Sequence, residues 1–454
     1  MYFCYRFKET TLPKRRSNIV PLLRSEAISS MSWLCPSGPS WDQECTIMSQ
    51  TDAGWGAGPS ERYETLADRF RPVFAEIRAT AAERDRTRGL PHAEIGWLRE
   101  ANFTTLRLAP EEGGHGASLP ELFALLIELS SADSNVTNAL RAHFGFTEDA
   151  LCASSAEWRA TWIARIGAGD TFGSGVSETG PAKVGAFDTV VRRRDGGLVV
   201  EGRKYYTTGS LFADYIHLSA EDESGGAVTA AVPVRAPGVT IVDDWDGFGQ
   251  GLTASGTATF EGVALDPALI KPDPARFPYA MAFFQLVHLA TLAGIGRAAA
   301  EDVARLVAER TRVYSHGNAG RTAEDPQIQA VVGRVRANAY AAGAVVLKSA
   351  EALQRASAAH RAGDAPAADR ATTLADVEVN QAVSVVTDLV LQATTTLFDA
   401  LGASAVKTGL GLDRYWRNAR TIASHNPRIY RDRSVGAFAI SGAPPPRQYR
   451  VGTA

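Results

Sequence analysis

Between Glu61 and Asp170 the apolar residues recur at three- and four-residue spacings: Leu66, Phe70, Val73, Phe74 and Ile77, then Leu119, Leu122, Phe123, Leu126 and Leu129. That period fits amphipathic helices, so the readable chain opens with an all-helical block. Between the two runs, Ala109-Pro110-Glu111-Glu112-Gly113-Gly114-His115-Gly116 interrupts regular structure with three glycines and a proline. From 171 to 275 the texture changes to short β-branched and aromatic runs: Thr189 to Val191, Leu198 to Val200, Lys204 to Thr208, Ala227 to Val234, Val239 to Val242 and Thr257 to Phe260. Asp-Gly-Gly, Ser-Gly-Gly and Pro-Gly turns separate them, which predicts a β-sandwich or barrel of roughly 100 residues. After Pro278 helical spacing returns, with Val379, Val383, Val386, Val390, Ala393 and Leu397 forming one apolar seam of a bundle helix. The expected fold is α+β: a helical domain over 48–170, a sheet domain over 171–275, and a C-terminal four-helix bundle with a tail over 276–454.

The first 47 residues lack a sustained period. They carry six basic and four acidic residues and include Pro36 and Pro39, and they read as an N-terminal extension. Arg15-Arg16 is followed by an apolar stretch that Pro21 and Arg24 cut too short for a signal peptide. Met48 opens a small polar leader, so the extension reads first as sequence upstream of the true start, with a disordered arm or a targeting segment as the alternatives.

Composition removes several classes of function. With 454 residues, 45% of them hydrophobic, the chain can bury a large core without disulfides or metal. Its 47 basic and 50 acidic side chains leave a net charge of −3, which gives no long-range field for nucleic acid or an anionic membrane. No uninterrupted apolar run reaches the ~18 residues of a membrane span. The four cysteines, three of them before residue 46, show no CxxC and no zinc spacing, which suits a reducing, cytoplasmic setting. No metal site is expected.

Gly294-Ile295-Gly296-Arg297-Ala298-Ala299 matches a dinucleotide fingerprint, but helical sequence flanks it on both sides, so close helix packing is the better reading. Walker A, HExxH and GxSxG sequences are absent. His92 and His217 read as surface or satisfied core residues. What remains is Leu412-Asp413-Arg414-Tyr415-Trp416-Arg417-Asn418-Ala419-Arg420-Thr421-Ile422-Ala423-Ser424-His425-Asn426-Pro427. Pro427 should end this amphipathic helix near His425, and a helix end presenting His is a plausible acid/base site. Alternatively, Arg414, Arg417 and Arg420 pair with carboxylates of neighbouring helices and His425 merely caps.

The helix–sheet–helix order, the segment 110–116, Gly175-Val176-Ser177-Glu178-Thr179-Gly180, Gly202 to Ser210 and Arg417-Asn418-Ala419-Arg420 together resemble the acyl-CoA dehydrogenase superfamily over about residues 60–442. In its dehydrogenases a glutamate follows the arginine helix and abstracts the substrate proton. Here His425-Asn426-Pro427 stands at that place, and an amide cannot accept the proton. Lys204-Tyr205-Tyr206-Thr207-Thr208-Gly209 and the His-Asn-Pro corner make the chain most similar to the flavin-dependent monooxygenases of the superfamily, the dibenzothiophene and sulfone monooxygenases. Ile422 departs from the dibenzothiophene pattern, which has a second His three residues before the catalytic one.

That resemblance implies a cytoplasmic homotetramer using reduced FMN, supplied by a separate NAD(P)H:flavin reductase, and O2. A C4a-(hydro)peroxyflavin would oxygenate a small organic substrate, with sulfur the leading acceptor. His425 and Ser177 would be catalytic. Val176, Ser177, Thr179, Tyr206, Thr208 and His425 would bind the flavin, Arg310 or Arg312 its phosphate, and Gly402 and Ser404 a neighbouring subunit's flavin. Asn426 and His143 would face the substrate, although a buried structural role for His143 stays equally open. An FAD-dependent dehydrogenase with another base, and a non-catalytic flavin-binding relative, are the remaining alternatives.

Overall fold

The computed structural model describes residues 54–180 and 186–447. The N-terminal extension lies outside the described residues.

The N-terminal helices are α1 (Tyr63–Ala67), α2 (Arg71–Thr87), α3 (His92–Glu100), α4 (Leu119–Ala132), α5 (Ser134–Ala139), α6 (Arg141–Leu151) and α7 (Ala156–Gly167). α4 starts where Ser118 and Glu121 form a reciprocal capping box, satisfying two amides that a helix start leaves unpaired. It is apolar nearly all round and buried along most of its length, so it is an internal element.

The central strands are β1 (Phe172–Gly175), β2 (Val190–Arg194), β3 (Gly197–Tyr205), β4 (Tyr215–Asp222), β5 (Ala227–Pro233), β6 (Val239–Val242) and β7 (Thr257–Leu265). They form one mixed sheet in the order β1-β4-β2-β3-β7-β6, with β5 also on β4. β1 and β2 both run parallel to β4, one along each half of it, and the other pairings are antiparallel. Asp195 and Gly196 both have positive φ between β2 and β3, as a tight two-residue hairpin requires. The inward side chains of five strands meet in one core, Val191, Val200, Ile216, Leu218, Val232, Phe260 and Val263 among them. Two strands, β1 and the central β4, escaped the sequence pattern, and the segment expected to run from Lys204 to Thr208 stops being strand after Tyr205.

Three long helices follow: α8 (Ala280–Ala308), α9 (Pro326–Arg361) and α10 (Ala365–Thr396). Shorter α11 (Asp413–Ala423) packs on α8 and α10, and α12 (Arg431–Ser441) packs on α10. The predicted seam of α10 is buried throughout, from Val379 to Leu397. α8 is long and apolar enough to span a bilayer by length and composition, but 83% of its most apolar window is buried inside the protein, packed on α4, α9 and α10. Gly294 sits mid-helix, where any Cβ would collide with Ser130 and the carbonyl of Ile127 in α4. The fingerprint-like sequence is therefore a helix-packing contact.

Candidate active site

α11 is tied to three separate parts of the chain. Arg414 and the Tyr415 hydroxyl reach Asp302 of α8 at 3.3 and 2.5 Å. Arg417 pairs with Asp85 of α2 at 2.5 Å and with Asp413 at 2.8 Å. The buried Asn418 side chain accepts the backbone N–H of Gln250 at 2.6 Å. Thus two of the three arginines do pair with carboxylates, whereas Arg420 has no carboxylate partner among the described residues. The helix ends at Ala423, two residues before His425, because the amides of Ser424 and His425 already make turn bonds to Thr421 and Ile422.

The Gln250 loop is the junction of the three domains. Gln250 donates to Ser134 Oγ at 3.1 Å and accepts from Asn138 at 3.2 Å, and the Leu252 amide donates to Asn135 at 3.2 Å. From the same loop, Thr253 and Ser255 form a hydroxyl chain to Thr208, each step 2.7 Å.

His425 is closely surrounded by protein yet keeps an exposed surface just past the end of α11. Its ring lies 4.2 Å from that of His288 in α8, with the planes inclined by 56°. His288 is buried, and its Nε2 has no hydrogen-bond partner among the described residues. Burial, then the nearby Arg141 cation, push the His425 pKa down to about 3, against a smaller opposing effect of Asn426. Burial and Arg141 also hold His288 well below the ordinary range. Both imidazoles are neutral at pH 7.

Ser177 and Thr179 are exposed on the segment after β1. The segment is pinned from behind: the Tyr205 amide donates to the Ser177 carbonyl at 3.1 Å, and Lys204 pairs with Glu178 at 2.5 Å. Glu178 also accepts the amides of Asp188 and Thr189 at 2.6 and 3.1 Å. Lys204 is fully buried, and burial lowers its pKa to about 8 despite the carboxylate. Val176 is half-buried beneath this clamp. Tyr206 has φ of 69°, an uncommon conformation for a bulky residue, and holds its ring 44% exposed, 6.1 Å from Trp245.

Arg310 donates to the Leu401 carbonyl at 2.7 Å, which brings it beside the turn at Gly402 and Ser404, where Gly402 has φ of 59°. Arg312 is exposed, and no side-chain partner holds it among the described residues. His143 is fully enclosed, with Nε2 2.7 Å from the Thr104 carbonyl and its ring stacked on Phe172. These contacts fit the structural one of the two roles open to His143. Conversely, Arg141 and His288 were missed. The four-residue spacing of Phe284 and His288 was the available signal, since it puts both on one helix face.

With this geometry in place, comparison with known proteins is informative. The acyl-CoA dehydrogenase N-terminal domain family matches residues 60–170, and the acyl-CoA dehydrogenase C-terminal domain family matches residues 286–427. The chain belongs to the acyl-CoA dehydrogenase superfamily. Its similar proteins include SfnC of Pseudomonas putida, named a probable FMNH2-dependent monooxygenase, 27% identical over 83% of this chain and 94% of that protein. Dibenzothiophene monooxygenase of Rhodococcus erythropolis is 27% identical over 83% of this chain and 93% of its own. Among solved structures, methanesulfinate monooxygenase MsuC from Pseudomonas fluorescens has a TM-score of 0.76 at 26% identity, covering 84% of this chain and 98% of that one. FMN-bound TdsC from Paenibacillus sp. A11-2 gives 0.75 at 28% identity with the same coverage.

Proposed function

We propose that this protein is a two-component monooxygenase. It takes reduced FMN from a separate NAD(P)H:flavin reductase and transfers one oxygen of O2 to the sulfur of a small organic substrate. The observation that carries this reading is the neutral imidazole pair His288–His425 with Asn426 beside it, where dehydrogenation would need a carboxylate. The similarity to FMN-dependent enzymes acting on sulfur compounds supports the cofactor and the acceptor.

The donor set suits a flavin. Ser177 and Thr179 offer exposed hydroxyls for a ring edge, and Tyr206 an exposed ring for a face. Val176 and Thr208 flank them just past the ends of β1 and β3. Arg312 offers an unengaged guanidinium for the phosphate, whereas Arg310 is already used to shape the Gly402–Ser404 turn. The orphaned Nε2 of His288 is a buried polar atom in want of a partner. Reduced flavin, when bound, supplies the two electrons that let O2 give one oxygen to the substrate and the other to water.

The chain's own residues do the rest. A neutral His425 has one N–H to donate to an oxygen and one bare nitrogen that can accept a proton, and Asn426 restrains it by a side-chain hydrogen bond. The Lys204–Glu178 clamp fixes Ser177 without entering the reaction. The protein acts in the cytoplasm as a homotetramer in which Gly402 and Ser404 approach a neighbour's flavin; exposed Val313, Tyr314 and Val406 are surface such an assembly would cover. The test mixes purified protein, FMN, a flavin reductase, NADH and a panel of organosulfur, amine and phenolic compounds under labelled O2. One labelled oxygen in a sulfur product is expected. Bleaching of tightly held FAD by an acyl-CoA would overturn the reading.

A further inference from the structure

Arg141 opens α6, and its charge acts on both His288 and His425. Its Nε donates at 3.2 Å to the carbonyl of Phe284, and its guanidinium lies 4.7 Å from the centre of the Phe284 ring. In the α8 ladder that same carbonyl accepts the amide of residue 288, so the guanidinium is set one helical turn from the imidazole that meets His425. Arg141 is one of the nearby charges that hold both imidazoles neutral.

What surrounds Arg141 is cationic or neutral. Among the described residues no carboxylate lies within ion-pair distance. The nearest strong field is that of Arg276, which shares the Phe284 ring at 5.2 Å but is itself matched by Asp149 at 3.3 Å. Burial and Arg276 together push the Arg141 pKa down to about 9, and it remains a cation at neutral pH. A largely enclosed charge without a counter-ion is costly, and proteins as a rule pair such groups. Gly145, one turn along α6, protects the arrangement, because any Cβ there would collide with the Phe284 ring that supports Arg141.

We propose that Arg141 is the anchor for an oxyanion on the substrate, so that the site selects organosulfur compounds of the sulfinate type over neutral sulfides and sulfoxides. A guanidinium matches two oxygens of such a group with parallel charge-assisted bonds, and the orphaned His288 Nε2 lies within the same turn of α8. A sulfinate keeps a lone pair on sulfur, so it can accept oxygen while its two oxygens are held. Sulfinate, O2 and reduced flavin become sulfonate, water and oxidised flavin, with sulfur giving up two electrons. The inference rests on the oxygenase reading of the same site.

Its test is binding of benzenesulfinate and of neutral methyl phenyl sulfoxide to the full chain, with and without oxidised FMN, measured by calorimetry without turnover. The wild type should prefer the sulfinate. R141M should weaken sulfinate binding by about 30-fold or more, leave sulfoxide binding unchanged, and keep FMN affinity within about twofold. R141K should fall between the two. Equal binding of both ligands by the wild type overturns the anchor, and this comparison holds even if R141M fails to fold. Loss of FMN but not riboflavin binding in R141M also overturns it, because Arg141 would then serve the cofactor's phosphate. Sulfinate binding that depends on Arg141, without incorporation of labelled oxygen, leaves the anion site standing and removes the oxygenase reading.

Discussion

The rings of His288 and His425 approach to 4.2 Å although the residues lie 137 positions apart, one inside the long helix α8 and the other just past the end of α11. The contact puts a solvent-reachable imidazole against a buried one, and the buried ring limits how the exposed one can turn. The two imidazoles of the pair thus come from different segments of the C-terminal part.

His425→Ala should lower oxygen transfer by ~10² to 10⁴, the usual loss when an acid/base group is removed. FMN affinity should change little. Because the His425 pKa is near 3, the wild-type rate should show no titration of this group between pH 5 and 8. Labelled-oxygen incorporation and a pH–rate profile check both points, and an unaltered rate in the variant would take His425 out of the mechanism.

Acid should destabilise the fold early. His143, with a pKa near 4, and His217 and His288, held well below the usual range, are all buried. Their folded pKa values lie below the unfolded ~6.5, so the unfolded chain binds more protons as pH falls below that value. The stability they contribute is fully present above pH 6.5. It drops on acidification by up to about 1.4 kcal/mol per pH unit for each histidine, until that group's own folded pKa is passed. Melting temperatures from pH 8 to 5 should show the decline, and His143→Phe should make it shallower.

Lys204→Met should cost about 3–5 kcal/mol, because it strands the Glu178 carboxylate in a buried position. Adding Glu178→Gln should recover much of that loss. Denaturant unfolding of both variants, together with FMN titration, separates stability from cofactor binding: the single variant should also bind FMN more weakly, since Ser177 sits on the segment the pair secures. Equal FMN affinity in the single variant would argue against that segment's part in cofactor binding.

Tyr206→Gly should raise stability while lowering activity. The left-handed backbone at Tyr206 is strained by about 1–3 kcal/mol in a non-glycine residue, and glycine relieves part of it. The same change deletes the exposed ring. Thermal melting and turnover measured on one preparation decide the matter, and a gain in both would show that the ring has no role.

Periodicity exposed the helices well, since Leu66, Phe70 and the α10 seam repeat over many turns and bury as their spacing demands. It exposed edge and hairpin strands through their turns, as at Asp195-Gly196, but missed β4, whose Tyr215-Ile216-His217-Leu218 mixes polar side chains into a central strand. His217 is tolerated there because Arg276 approaches its Nδ1 at 3.3 Å and Phe146 covers its ring, neither of which is near it in sequence. The His425 corner was legible because its chemistry is carried by adjacent residues. Arg141 and His288 were not, since each is an ordinary helical residue until tertiary packing brings Phe284 between them.

The Gln250 loop also sets an order in time. It is bonded to Ser134, Asn135 and Asn138, which leave the ribosome before it, and to Asn418, which emerges 168 residues after it. A nascent chain can therefore dock this loop on the first helices and finish the sheet while the site is still incomplete. His425 can meet His288 only once α11 has been made, so a chain stopped ahead of α11 lacks the imidazole pair.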